Sequence, residues 1–269
     1  MDRRLTPATD TVAHVSLQGR VTAQRFTEGE TLRVQVPLVD LLHTPQGPRE
    51  RQLMLGDAFT VIDRLQGHAF GFSVKDGYCG WLPDSVLAQG PEPTHWIASV
   101  GTHLYSAPRV QQAELALPMA AKVRVSGQDG KYAKADIGYV PASHLRAIGD
   151  WLSDPVSVAE GFLGTPYLWG GNSRAGLDCS GLVQIAHSAC GIAVPGDADL
   201  QEMVGRVAQG QFTRGDLLFW KGHVALVVDA DRVIHANGHT MSVAYEGTHA
   251  CIARIEDAEG LTLRSHRRL

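Results

Sequence analysis

The sequence predicts a multidomain chain, two small all-β barrels followed by an α+β domain. Three observations carry that prediction. Two stretches, Leu55 to Leu87 and Leu117 to Leu145, share one plan: a β-rich run, a glycine-containing turn and a second run. Each then closes on G-[WY]-[LV]-P, a short polar segment and a leucine, which suits short strands in a small barrel. After "AIGDWLSDP" the plan stops, and helical segments precede strand-like ones without βαβ alternation. Finally, 269 residues at 44% hydrophobic content are enough for more than one buried core and argue against disorder.

The elements follow in order. Residues 1–31 have weak periodicity and are expected to form an arm packed on the first barrel. Residues 32–90 form that barrel, and 91–150 the second, with "QGPEPTH" from Gln89 to His95 as the joint. Residues 151–269 form the α+β domain. It opens with a helix after Asp154 as N-cap and Pro155 at the first helical position, ended by Gly161 or Gly164. "TPYLWGGNSRAGL" reads as a loop. A second helix is expected from about Asp178 to Ala189, stopped by Gly191. "GDLLFWKG", "HVALVVDADRVIHANG" and "CIARIED" read as strands, and the terminal "RSHRR" as a solvated tail.

Composition excludes some functions. A net charge of −4 leaves no broad electrostatic surface for nucleic acid. No run approaches 18 apolar residues, so no membrane span is predicted. "MDRRLTPATD" has arginines but no apolar stretch behind them; without a signal peptide, a cytoplasmic protein is expected. Cys79, Cys179, Cys190 and Cys251 show neither CxxC pairing nor disulfide density.

Cys179 stands apart from the other three. It falls in the first turn of its helix, directly after a glycine-rich loop, where free N–H groups and the dipole favour a thiolate. The alternative is an inert buried cysteine, the reading given to Cys79, Cys190 and Cys251. A thiol nucleophile needs a base and a group to orient it. Among twelve histidines, His223 opens the strand "HVALVVD" and His235 lies in the next, "RVIHAN". Side chains alternate along a strand, so the turn length decides whether the two imidazoles share a face. A two-residue turn separates them. A three-residue turn, Asp229 to Asp231, sets His235 opposite Ala225 and diagonal to His223, and a five-residue turn sets the two directly opposite. An odd-length turn is predicted. Zinc is the rival use of Cys and His, but paired ligands at short spacing are absent, so neither metal nor cofactor is expected.

These elements resemble the NlpC/P60 family of cysteine peptidases: "GTPYLWGG", "LDCSGL", "GDLLFW", "HVALVVD" and "VIHA", in the family's order. "DGYCGWLPDSVL" and "ADIGYVPASHL" resemble the last strands of bacterial SH3-like domains. The resemblance implies tandem SH3-like barrels before a papain-like catalytic domain. It makes Cys179 the nucleophile, His223 the general base and acid, and His235 the orienting residue. It places Tyr167 beside the oxyanion, and Asp178, Ser180, Trp169 and Asp197 at the substrate. Tyr78 is the best match to a tyrosine that closes the pocket over the free amino end, with Glu50 and Asp57 as candidates for its ammonium. The implied substrate is a small murein peptide, L-Ala-γ-D-Glu-diaminopimelate, cut after γ-D-Glu during wall-peptide recycling. Alternatives are an amidase or acyltransferase on another acyl group, and an inactive wall-fragment-binding protein. "PGDAD" departs from the family's Pro-Arg-Asp followed by a hydroxyl residue, since Gly196 and Ala198 stand where a guanidinium and a hydroxyl are expected.

Overall fold

The computed structural model describes residues 1–269 and divides into two compact units, Met1–Ile148 and Gly149–Leu269. In the first unit, β1 (Val12–His14) and β2 (Arg25–Thr27) form a parallel pair. The strands β3 (Glu30–Val34), β4 (Leu38–Leu42), β5 (Arg49–Met54), β6 (Ala58–Leu65), β7 (His68–Ser73), β8 (Cys79–Pro83) and β9 (Leu87–Ala88) follow. They make one sheet in the order β5-β4-β8-β7-β6-β3-β9. Alternation sends Phe59 and Val61 inward with Leu32, Val34, Leu41, Leu53 and Leu82. Ile62, Phe70, Cys79 and Trp81 form a second buried cluster. The N-terminal segment packs on this sheet: Thr9 Oγ1 donates to Asp63 Oδ2 at 2.8 Å, and the His14 ring meets Phe72 edge-on at 5.2 Å.

Eight more strands complete this unit: β10 (His95–Ile97), β11 (Gly101–Tyr105), β12 (Ala113–Pro118), β13 (Lys122–Val123), β14 (Val125–Asp129), β15 (Tyr132–Ala135), β16 (Gly138–Pro141) and β17 (Leu145–Ala147). They form sheets of order β13-β10-β17 and β12-β11-β16-β15-β14 around Trp96, Ile97, Leu117, Val123 and Val140. The two G-[WY]-[LV]-P endings take one local form. Pro83 and Pro141 each end a strand, a 3-10 turn follows (Asp84–Val86, Ala142–His144), and a short strand resumes.

The second unit begins with α1 (Pro155–Glu160), where the Asp154 carboxylate accepts from Val156 N at 3.0 Å. The glycine-rich segment holds a small hairpin of β18 (Asn172–Ser173) and β19 (Gly176–Leu177). Then come α2 (Cys179–Ser188), α3 (Ala198–Gln201), β20 (Arg206–Val207), β21 (Leu217–Trp220), β22 (His223–Val227), β23 (Arg232–Asn237), β24 (Ser242–Gly247), α4 (Thr248–Glu259) and β25 (Ser265–Arg268). The sheet runs β20-β25-β21-β22-β23-β24, and α2 packs on β22 and β23.

Two expectations fail here. "CIARIED" is helical, the middle of α4. Its apolar Cys251 and Ile255 are four residues apart and join Leu218, Trp220, Ala225, Val227 and Val233 in one cluster. Helical period outweighs the strand preference of isoleucine, and Gly260 ends the helix at φ +67°. The terminal "RSHRR" is β25, an inner strand paired with β20 and β21. Buried Asp216 accepts from its His266 Nε2 at 2.6 Å and Arg268 Nε at 2.6 Å, and Glu202 lies 3.5 Å from Arg264. A basic run is solvated only where no carboxylate waits for it.

Candidate active site

The site is assembled on the first turn of α2. Asp178 is its N-cap: Oδ1 accepts from Gly181 N at 2.6 Å and Ser180 Oγ at 3.0 Å. Its other oxygen, Oδ2, accepts from Gly170 N at 2.8 Å, so one carboxylate fixes both the helix start and the preceding loop. That loop is pinned elsewhere by Leu168 N to Leu177 O at 3.0 Å and Tyr167 N to Met241 O at 2.8 Å. Gly181 allows the close approach, since a Cβ there would stand 2.3 Å from Gly171 O. Buried Gln201 ties the opposite side, donating to Ser180 O at 2.9 Å and Pro195 O at 3.0 Å.

Cys179 thus sits at the first helical position, buried, with Sγ 4.0 Å from Gly222 O. The backbone N–H groups of Val224 and Ser180 point at it. Val224 is available for a reason of register. Val228 N bonds Arg232 O, so by alternation the N–H of Val224 also faces the β23 side. The ladder with β23 ends at Leu226↔Ile234, and where the strands part the thiol takes the place of a strand carbonyl.

The same register places the histidines. Leu226↔Ile234 and Val227↔Val233 extend to Val228↔Arg232, closing a three-residue turn, Asp229 to Asp231. His223 Nε2 and His235 Nδ1 are 2.9 Å apart, and the rings meet edge-on at 5.1 Å. Trp220, the register partner of His223, packs its ring 5.7 Å from the imidazole. With Nε2 engaged, Nδ1 is the nitrogen of His223 left for a proton from the thiol.

Electrostatics correct one expectation. The helix start was expected to favour the thiolate, but burial and the adjacent Asp178 carboxylate push the Cys179 thiol up to about 12. Burial pushes His223 down to about 3. Burial thus works against the charged form of both the thiol and the imidazole. Cys79 and Cys251 are also pushed up to about 12 by burial, so acidity does not set Cys179 apart; placement does.

Burial raises the Tyr167 hydroxyl, with the neighbouring thiol and Asp178 adding to the effect, which keeps it a donor beside the sulfur. Trp169 is 69% exposed on the same loop. Asp197, between buried Gly196 and Ala198, has φ +59° and ψ 139°. Such a conformation costs about 1–3 kcal/mol for a residue with a Cβ and persists only where neighbours enforce it.

In the first unit, Tyr78 belongs to the core around Phe59 and Leu82, with the Arg51 guanidinium 5.3 Å from its ring centre. Glu50 pairs with Arg3 and with His43. Asp57 is withdrawn as an ammonium ligand. It is buried and already meets Lys122 Nζ at 2.6 Å, Lys75 Nζ at 2.9 Å and Met54 N at 3.1 Å.

Residues 164–254 match the NlpC/P60 family, and 41–87 match the bacterial dipeptidyl-peptidase Sh3 domain. The chain carries an NlpC/P60 domain behind a bacterial SH3 domain. A γ-D-glutamyl-L-lysine dipeptidyl-peptidase of Bacillus subtilis is 32% identical over 182 residues, 60% of this chain and 60% of the relative. Its Bacillus cereus counterpart is 28% identical, over 70% of this chain and 67% of the relative. The chain thus spans less than two thirds of the Bacillus subtilis protein. An NlpC/P60 family crystal structure from Bacillus cereus superposes with a TM-score of 0.78 at 20% identity, covering 89% of this chain and 99% of that one. At that identity the likeness is one of fold.

Two residues behind the histidines of the NlpC/P60 domain escape a motif reading. Glu246 Oε2 lies 3.2 Å from His235 Nε2, and Arg254 grips Glu246 through both its oxygens. Alternation along "SVAYEG" puts Glu246 on the face of His235; reading α4 as a strand hid Arg254.

Proposed function

We propose that the protein is a cysteine peptidase that hydrolyses the γ-D-Glu–diaminopimelate bond of free murein peptides with an unblocked N-terminal L-Ala. The observation that carries this is Cys179 at the start of α2, against the opening of the strand whose His223 is held by His235 at 2.9 Å. The relatives' names support the bond class and the release of a dipeptide, and give L-lysine as the diamino acid. The reading takes residues 32–90 and 91–150 as tandem SH3-like domains and 151–269 as papain-like.

Cys179 Sγ attacks the γ-glutamyl carbonyl while its proton passes to His223 Nδ1. The oxyanion accepts hydrogen bonds from the Cys179 N–H and the Tyr167 hydroxyl. Collapse breaks the C–N bond, and His223 returns the proton to the departing amine. Water, deprotonated by His223, then cleaves the thioester. Asp178, Ser180, Trp169 and Asp197 flank the acyl part of the peptide in this reading. Its place would be cytoplasmic peptide recycling, which fractionation tests.

The test is to incubate wild type and Cys179→Ala with L-Ala-γ-D-Glu-diaminopimelate, its L-lysine analogue and an N-acetylated form. Wild type alone should release the diamino acid, and only from the peptides with a free amine. Release by neither protein defeats the reading, and equal release by both removes Cys179 from the mechanism.

A further inference from the structure

The domain holds a charged pair with no part in the mechanism above. His235 is 1% exposed, and its Nε2, without a well-aligned acceptor, lies 3.2 Å from Glu246 Oε2. Register explains the approach. His235 pairs with Ala244 and Val233 with Glu246, so Glu246 is the diagonal same-face neighbour of His235 on β24. Arg254, on α4, donates Nε to Oε1 at 2.7 Å and Nη2 to Oε2 at 2.8 Å. This bidentate grip holds the carboxylate in place against the sheet.

The chain of contacts has a consequence for protons. A neutral imidazole carries one N–H, and the nitrogen that holds it is set by what the other meets. A carboxylate oxygen 3.2 Å from Nε2 favours the proton on that nitrogen, leaving Nδ1 of His235 an acceptor. His223 must then donate from its own Nε2, which leaves Nδ1 of His223 with a lone pair for the thiol. Reversed, with the proton of His235 on Nδ1, the base nitrogen of His223 would be occupied.

We propose that Glu246, held by Arg254, is a positioning residue that fixes the tautomer of His235 and, through it, that of the base His223. This rests on the cysteine-peptidase reading for its kinetic consequence, but not for the tautomer itself. The nearby trio His235, Glu246 and Cys251 keeps its donor atoms within 4.8 Å of one another, as a metal site would. Arg254 already supplies the positive charge on that carboxylate, and burial holds the Cys251 thiol protonated, so the cluster is complete without a cation.

The experiment reads the imidazoles directly. Long-range proton–nitrogen NMR spectra of wild type near neutral pH, assigned with His223→Gln and His235→Gln, should show both rings protonated at Nε2. A His235 protonated at Nδ1 in wild type overturns the proposal without any variant of Glu246 having to fold. In Glu246→Ala, His235 should become a mixture of tautomers, kcat should fall about tenfold to a hundredfold, and KM should stay within about twofold. Glu246→Asp should recover part of both signals. A fall in kcat with the tautomer unchanged would make the role merely structural and overturn the proposal. If wild type cleaves none of the peptides, the peptidase reading fails, while the spectra still decide the tautomer.

Discussion

His223 and His235 meet at 2.9 Å because three residues join their strands. Deleting Ala230 leaves a two-residue turn, which sends His235 to the opposite face or forces the register of β23 to slip. The expected outcome is loss of at least about a hundredfold in peptidase activity, the scale of general acid–base catalysis. Circular dichroism of the deletion variant should stay close to wild type. Retained activity in a folded deletion variant would show that the pair does not depend on this turn.

Burial of the thiol makes a second prediction. With the thiol pushed up to about 12, iodoacetamide should label Cys179 slowly at neutral pH and faster as the pH rises. Asp178→Asn removes the nearby carboxylate and should shift that profile to lower pH; the amide oxygen can still cap Gly181 N, while the acceptor for Gly170 N is lost. Labelling that is already fast and flat from pH 5 to 8 would mean a thiolate–imidazolium pair at rest.

What the sequence reveals follows from what each feature depends on. Asp154, Pro155 and Asp178 are legible because a cap acts within three residues of itself. The histidine pair needs only strand alternation and a turn length. "RSHRR" was misread because Asp216, its partner, is some fifty residues away in the chain, and no local pattern reports such a match. The opposing influences on the Cys179 thiol differ in reach: the helix dipole is local, whereas burial depends on everything packed above the sulfur. Glu246 and Arg254 fall between these cases, since alternation shows one and tertiary packing the other.

Gly181 carries a third prediction. A Cβ at this position would stand 2.3 Å from Gly171 O and 3.1 Å from Asp178 Oδ1, so backbone must move. Gly181→Ala is expected to destabilise the second unit by about 1–3 kcal/mol, the usual range for overpacking. It should also lower kcat, because the displaced loop carries Tyr167. Thermal unfolding and kinetics on the same variant check both. A stable variant with wild-type kcat would mean that the loop absorbs the shift without moving the tyrosine.

Asp57 makes the fourth, in the first unit. It is buried between Lys122 and Lys75, and their charges hold its carboxyl well below the usual range despite its burial. A depressed folded-state pKa means that the native state resists protonation more than the unfolded chain does. The stabilisation is therefore complete above the unfolded value, near pH 4, and fades as the pH falls from there towards the folded value. Breaking such a buried pair costs about 3–5 kcal/mol, reduced here because both lysines keep roughly a third of their surface in water. Asp57→Asn should destabilise the first unit at pH 7 by about 2 kcal/mol and flatten its acid sensitivity between pH 4 and 2. Denaturant unfolding of both proteins at several pH values measures this. Parallel curves for variant and wild type across that window would show that some other carboxylate sets the acid limit.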